Sequence, residues 1–169
     1  SMDANILHTS YEGGILEDPW KSPEESMWLR TKSIEKSANK ADILELEFKN
    51  GDVIKINKKI LSPFKVLEKL NQLAGKHGIG RIDIVENRYV GIKSRGCYET
   101  PGGTIYHKAH KAMESITMDR ELLHLKEDLA NRYTRLIYNG YWFSPERESL
   151  QKLINDSQKR VTGTVKIKI

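Results

Sequence analysis

Residues 81–105 read RIDIVENRYVGIKSRGCYETPGGTI, which sets Glu86, Arg88, Lys93, Arg95, Tyr98 and Glu99 among a few apolar positions. On a strand, Glu86 and Arg88 point to one face and Asn87 to the other, because successive side chains alternate. A carboxylate, a phenol and a guanidinium together suit a zwitterion. The carboxylate pairs with an ammonium, while a hydroxyl or guanidinium holds a carboxylate. The same groups equally suit a sheet face laced with salt bridges, since structural ion pairs imitate sites. Both readings stand at this point.

Other chemistry is thinner. His107 and His110 are three apart and could share a helix face, but neither a cysteine nor an acidic third ligand accompanies them, so no metal site is expected. Cys97 is the single cysteine and has no histidine nearby in sequence; a small buried thiol fits it better than a nucleophile. No Gly-x-x-x-x-Gly-Lys run is present. KHGIGR at 76–81 falls between a helix and a strand, the wrong order for a dinucleotide fingerprint. Gly102-Gly103 ahead of a helix could offer N–H groups to an anion, with a tight turn as the plainer reading.

The elements that must position these groups can be read in outline. Residues 1–41 form an irregular arm, rich in turn signals such as Glu17-Asp18-Pro19 and Ser22-Pro23. From residue 42 the chain becomes regular. Leu44, Leu46 and Phe48 share a strand face, and Asn50-Gly51 predicts a type I′ hairpin back through Val53, Ile54 and Ile56. Ser62-Pro63 opens a helix with Phe64, Leu67, Leu70 and Leu73 on its apolar face and Gly75 as its stop. Ile82 and Ile84, then Tyr89 to Ile92, read as two short strands. A helix follows Gly102-Gly103-Thr104. Thr117 is the expected cap of the next, whose stripe is Leu122, Leu125, Leu129, Tyr133 and Leu136. Asn139-Gly140 ends it, and Ser144-Pro145 starts a further helix. Val165, Ile167 and Ile169 alternate in a last strand that stops in mid-pattern, which suggests a piece of a longer chain. Hairpins and helices without a strand–helix–strand rhythm predict an α+β fold with a mostly antiparallel sheet.

Composition bounds the function. With 169 residues and 38% hydrophobic content, one domain with a real core is expected. No apolar run approaches the roughly 18 residues of a membrane helix, and one cysteine fits a reducing, cytoplasmic setting. The net charge of +5 admits a basic nucleic-acid-binding module as an alternative function. Its scattered Lys and Arg and its lack of stacking aromatics argue against one.

Four blocks in order carry a resemblance: SMDANILHTSYEGGILEDP at 1–19, GKHGIGRIDIVENRYVGIKSRGCYETPGGTI at 75–105, TMDRE at 117–121 and YNGYWFSPE at 138–146. Over essentially its whole length the chain resembles the C-terminal synthetase domain of the argininosuccinate synthase family. The resemblance implies an ATP-dependent carbon–nitrogen ligase that joins citrulline to aspartate through citrullyl-AMP, releasing AMP and pyrophosphate, in arginine biosynthesis. It implies ATP with Mg2+ as co-substrate, held mainly by an N-terminal nucleotide-binding domain outside these residues. It also implies a homotetramer, no nucleic acid and no membrane. On this basis residues 1–41 are an arm carrying a substrate motif, residues 42–169 are the α+β synthetase domain, and the 169 residues alone are expected to be inactive. Ser1, Ser10, Glu12, Glu86 and Tyr98 resemble citrulline-binding positions, and Asp3 resembles a position near the nucleotide. No catalytic side chain is implied.

Overall fold

A computed structural model describes residues 2–169; Ser1, an expected citrulline contact, lies outside them. The fold is α+β, with two antiparallel four-stranded sheets and four helices of thirteen residues or more. No helix among the described residues is long and apolar enough to cross a membrane.

The larger core belongs to the sheet made by β3 (Ile43–Lys49), β4 (Asp52–Ile56), β5 (Lys59–Ile60) and β8 (Gly163–Lys168), in the order β5-β4-β3-β8. Asn50 and Gly51 take φ of 52° and 87°, the left-handed pair that a type I′ turn requires. Leu44, Leu46 and Phe48 point inward and meet α1 (Pro63–Lys76) and α2 (Pro101–Thr117) through Val66, Leu70, Ala74, Ile105, Ala109 and Met113. Ser62 caps α1 by accepting from the Lys65 amide at 3.4 Å, and Ser144 caps α4 (Pro145–Ser157) likewise from Arg147 at 3.2 Å.

The second sheet has the order β1-β2-β7-β6, from β1 (Met2–Ala4), β2 (Thr9–Glu12), β6 (Arg81–Asn87) and β7 (Lys93–Glu99). It corrects two expectations. The arm is not wholly irregular, because its first residues supply two strands; at three and four residues they are too short to show alternation. Nor do Tyr89 to Ile92 form a strand. They make the β6–β7 turn, closed by Arg88 N–H to Ile92 O and Gly91 N–H to Arg88 O, both 2.9 Å, with Gly91 at φ 89°. The true partner strand is the charged run 93–99, whose pattern was hidden because both of its faces are polar.

Helix limits shift for physical reasons too. Gly75 lies inside α1, and the left-handed residue after the helix is Gly78, at φ 68°. The buried stripe of α1 is Val66, Leu70 and Ala74, a spacing of four, while Phe64 is 56% exposed. Gly102 and Gly103 sit in the first turn of α2. There the Gly102 amide donates to Asn71 Oδ1 at 2.9 Å, which answers the anion question with an internal cap. α3 (Arg120–Tyr138) is capped not by Thr117 but by Asp119, which accepts from the amides of Glu121 and Leu122. Thr117 instead donates to Met113 O at the end of α2. Of the α3 stripe only Leu136 is buried.

Candidate functional site

The second sheet sorts the charged stretch onto two faces. Register places Asp3 opposite Ser10, Ser10 opposite Tyr98 and Tyr98 opposite Ile82; one step along, Glu12 faces Gly96, and beyond it Glu86 faces Ser94. Partners directly opposite in an antiparallel pair lie on the same side. Asp3, Ser10, Glu12, Glu86 and Tyr98 therefore share one face. Arg81, Asp83, Arg95, Cys97 and Glu99 take the other.

The second face is covered by the arm. Glu99, 1% exposed, accepts from the amides of Leu29, Arg30 and Thr31 at 2.8–2.9 Å and from Thr31 Oγ1 at 2.6 Å. Arg95 pairs with Asp83 at 2.7 Å and donates to the carbonyls of Leu16 and Asp18. Arg81 reaches Glu25 and Thr31 O. Here the salt-bridged reading of the sequence is right. Cys97 is fully buried, and burial, aided by Asp83, pushes its thiol up to about 11, so it is no ready nucleophile.

The first face carries the candidate site. Gly96 has no side chain to block the Tyr98 ring; a Cβ there would lie 2.8 Å from Cε2 of that ring. The ring thus lies along the sheet, and its hydroxyl donates to Glu86 Oε1. Tyr138, the last residue of α3, donates to Glu86 Oε2 at 2.5 Å. Arg88 Nη2 donates to Glu12 Oε2 and to Ser94 Oγ, and stands 3.9 Å from Glu86 Oε1. The His8 ring centre is 6.1 Å from that of Tyr98, and Ser10 is 5% exposed beneath them.

Burial pushes the Glu86 carboxyl upward, but the Tyr138 and Tyr98 donors and the Arg88 charge outweigh it and leave the carboxyl below its ordinary value. Burial and then donation to Glu86 raise the Tyr98 phenol; donation to Glu86 raises that of Tyr138. At neutral pH the cluster is one carboxylate held by two protonated phenols. Such a group binds N–H donors; with no activated nucleophile beside it, it orients a ligand rather than bonding to one.

Four of the five residues matched to citrulline contacts are brought together here, with Asp3 in the same row. The sequence reading missed Tyr138, which falls two positions past the Leu136 stripe and meets Glu86 only through the tertiary fold. Arg88 was signalled by its alternation with Glu86, but not its pairing with Glu12. A cavity of about 720 Å3 lies elsewhere, between the Asn50–Asp52 turn, α2 and α4. Its Gln158 bonds to His110 and to the buried Glu114, which also pairs with Lys126 at 2.6 Å. Those polar groups satisfy one another.

The family model described as the arginosuccinate synthase C-terminal domain matches residues 1–169. The chain belongs to the argininosuccinate synthase family. It is 66% identical over all of its 169 residues to the argininosuccinate synthase of Nitrosococcus oceani, and 62% and 61% identical to those of a Nitratiruptor species and Campylobacter fetus. In each case it covers 42% of the relative. This C-terminal synthase domain thus spans about two fifths of the length of the curated relatives it matches.

Proposed function

We propose that this domain forms the citrulline-binding wall of an argininosuccinate synthase that condenses citrulline with aspartate, using ATP. The observation that carries the reading is the gathering of Ser10, Glu12, Glu86 and Tyr98 on one open sheet face, out of three different strands. In this reading the ureido oxygen of citrulline attacks the α-phosphorus of ATP and pyrophosphate leaves. The aspartate amine then attacks the ureido carbon of citrullyl-AMP, AMP departs, and argininosuccinate is released. This chemistry asks a protein for orientation and exclusion of water more than for a nucleophile.

Glu86 accepts an N–H of citrulline, while Tyr98, Ser10 and the ion-paired Glu12 fix its polar ends. Asp3 lies on the same face toward the nucleotide. Among the described residues no group of three His, Cys, Asp or Glu is placed to hold a metal ion, and the sequence has no Gly-x-x-x-x-Gly-Lys run. By the same family reading, ATP with its Mg2+ is bound mainly by an N-terminal nucleotide-binding domain, and the full enzyme is a homotetramer.

Calorimetry of the full-length synthase tests the assignment. Glu86→Ala is expected to weaken citrulline binding by at least about tenfold, as loss of a charged hydrogen-bonding group should; unchanged affinity would sink it. Residues 1–169 alone are expected to release no pyrophosphate from citrulline, aspartate and ATP.

A further inference from the structure

We propose that Tyr138 is a positioning residue of this site: together with Tyr98 it clamps the Glu86 carboxylate so that the remaining lone pairs face an N–H donor of the ligand. The inference rests on the reading of Glu86 as a ligand contact and adds a residue from a separate element.

A carboxylate offers about four acceptor positions. Tyr98 takes one on Oε1 and Tyr138 one on Oε2, leaving one on each oxygen. Both donors are neutral, so they fix the plane of the carboxylate without cancelling its charge. Arg88 spends its Nη2 bonds on Glu12 and Ser94 and stands 3.9 Å from Glu86 Oε1, a long ion pair that offsets part of the carboxylate charge without taking one of its close acceptor positions. Each phenol, having given its proton to Glu86, keeps only acceptor capacity, and Arg88 takes up that of Tyr138. The cluster therefore accepts an ammonium or ureido N–H and disfavours a carboxylate in the same position.

The arrangement depends on where α3 ends. Leu136, the one buried residue of α3, anchors the last turn, and Tyr138 reaches Glu86 from just beyond it. Past the helix, the hydroxyls of Tyr141 and Tyr89 are 3.2 Å apart, which ties the segment to the β6–β7 turn at a second point.

The test is Tyr138→Phe in the full-length synthase, a change that removes one hydroxyl and keeps the ring. The expected result is a citrulline dissociation constant raised roughly five- to twentyfold, with the melting temperature held. The acid limb of citrulline binding should also move to higher pH. The groups facing Glu86 are Tyr98 from β7, Tyr138 from α3, Arg88 from the turn and Glu12 from β2. Loss of a donor that favours the ionised form lets Glu86 protonate sooner as pH falls. Tyr133→Phe, on the same helix but bonded to Gln151, is expected to leave citrulline binding unchanged. Wild-type affinity and an unmoved acid limb in Tyr138→Phe, beside a Glu86→Ala variant that has lost binding, overturn this inference alone. So does a loss of affinity that tracks a fall in melting temperature with the acid limb in place. Wild-type affinity in Glu86→Ala overturns the site reading, and this one with it.

Discussion

Glu86 and Glu99 sit on opposite faces of one sheet, and their donors decide what each can do. Glu86 meets two phenols and keeps acceptor capacity for a ligand. Glu99 meets three backbone amides and a hydroxyl from residues 29–31 and keeps little, so it works as the nail that holds the arm. In Glu99→Gln a side-chain amide faces at least one main-chain N–H, donor against donor. Thermal or urea unfolding should show a loss of about 2–3 kcal/mol; stability within about 0.5 kcal/mol of wild type would contradict the role given to Glu99. A third carboxylate sets an acid limit. Hydrogen bonds from His77 and Lys76 hold Asp42 well below the usual 3.8, at about 2. A depressed carboxylate contributes stability that is complete above its unfolded value and is lost as pH falls through the folded one. Asp42→Asn should therefore flatten the acid limb of the stability curve between about pH 4 and pH 2 and lower the stability plateau above it. An unchanged limb measured by pH-dependent unfolding would remove Asp42 from the account.

Elements were legible wherever one residue pattern had one cause. The Asn50-Gly51 hairpin, the Ser62 and Ser144 caps and the alternation of β8 are local, and each lies where the residues say. What stayed hidden was set by neighbours distant in sequence. Gly75 reads as a helix stop, yet the chain is helical through it, and glycine is required there for another reason: the arm passes so close that a Cβ at Gly75 would stand 2.1 Å from the Arg30 carbonyl oxygen. The Gly75 carbonyl also accepts from the Lys32 amide at 3.0 Å. Two effects compete in Gly75→Ala. Helix propensity favours alanine by about 1 kcal/mol; the clash falls on backbone that cannot swing aside and costs more, as overpacking generally does, at about 1–3 kcal/mol or above. A lowered melting temperature is expected, and a raised one would show that the arm is free to retreat. The site was half legible for the same reason. Glu86 and Tyr98 stand in one recognisable stretch, whereas Tyr138 belongs to it only through the docking of α3, which no spacing in the sequence announces.

At the scale of the molecule, the site lies where a firmly built part meets a lightly anchored one. α1 and α2 each bury three apolar residues in the core of the main sheet, while α3 buries only Leu136 and α4 only Ser157. What holds α3 is mostly polar: Lys126 to Glu114, Arg132 to Glu146, Tyr133 to Gln151 and Tyr138 to Glu86. Segments with little buried apolar surface open with less free energy than the core. Amides of α3 and α4 should thus exchange with deuterium at least about tenfold faster than those of β3, α1 and α2. One of those four ties runs through the candidate site, so whatever fixes Glu86 also fixes the end of α3. A ligand that takes the free lone pairs of Glu86 should slow exchange at residues 136–141 in the full-length synthase and leave α1 unchanged. Binding of citrulline without that slowing would mean that the helix end and the site move independently.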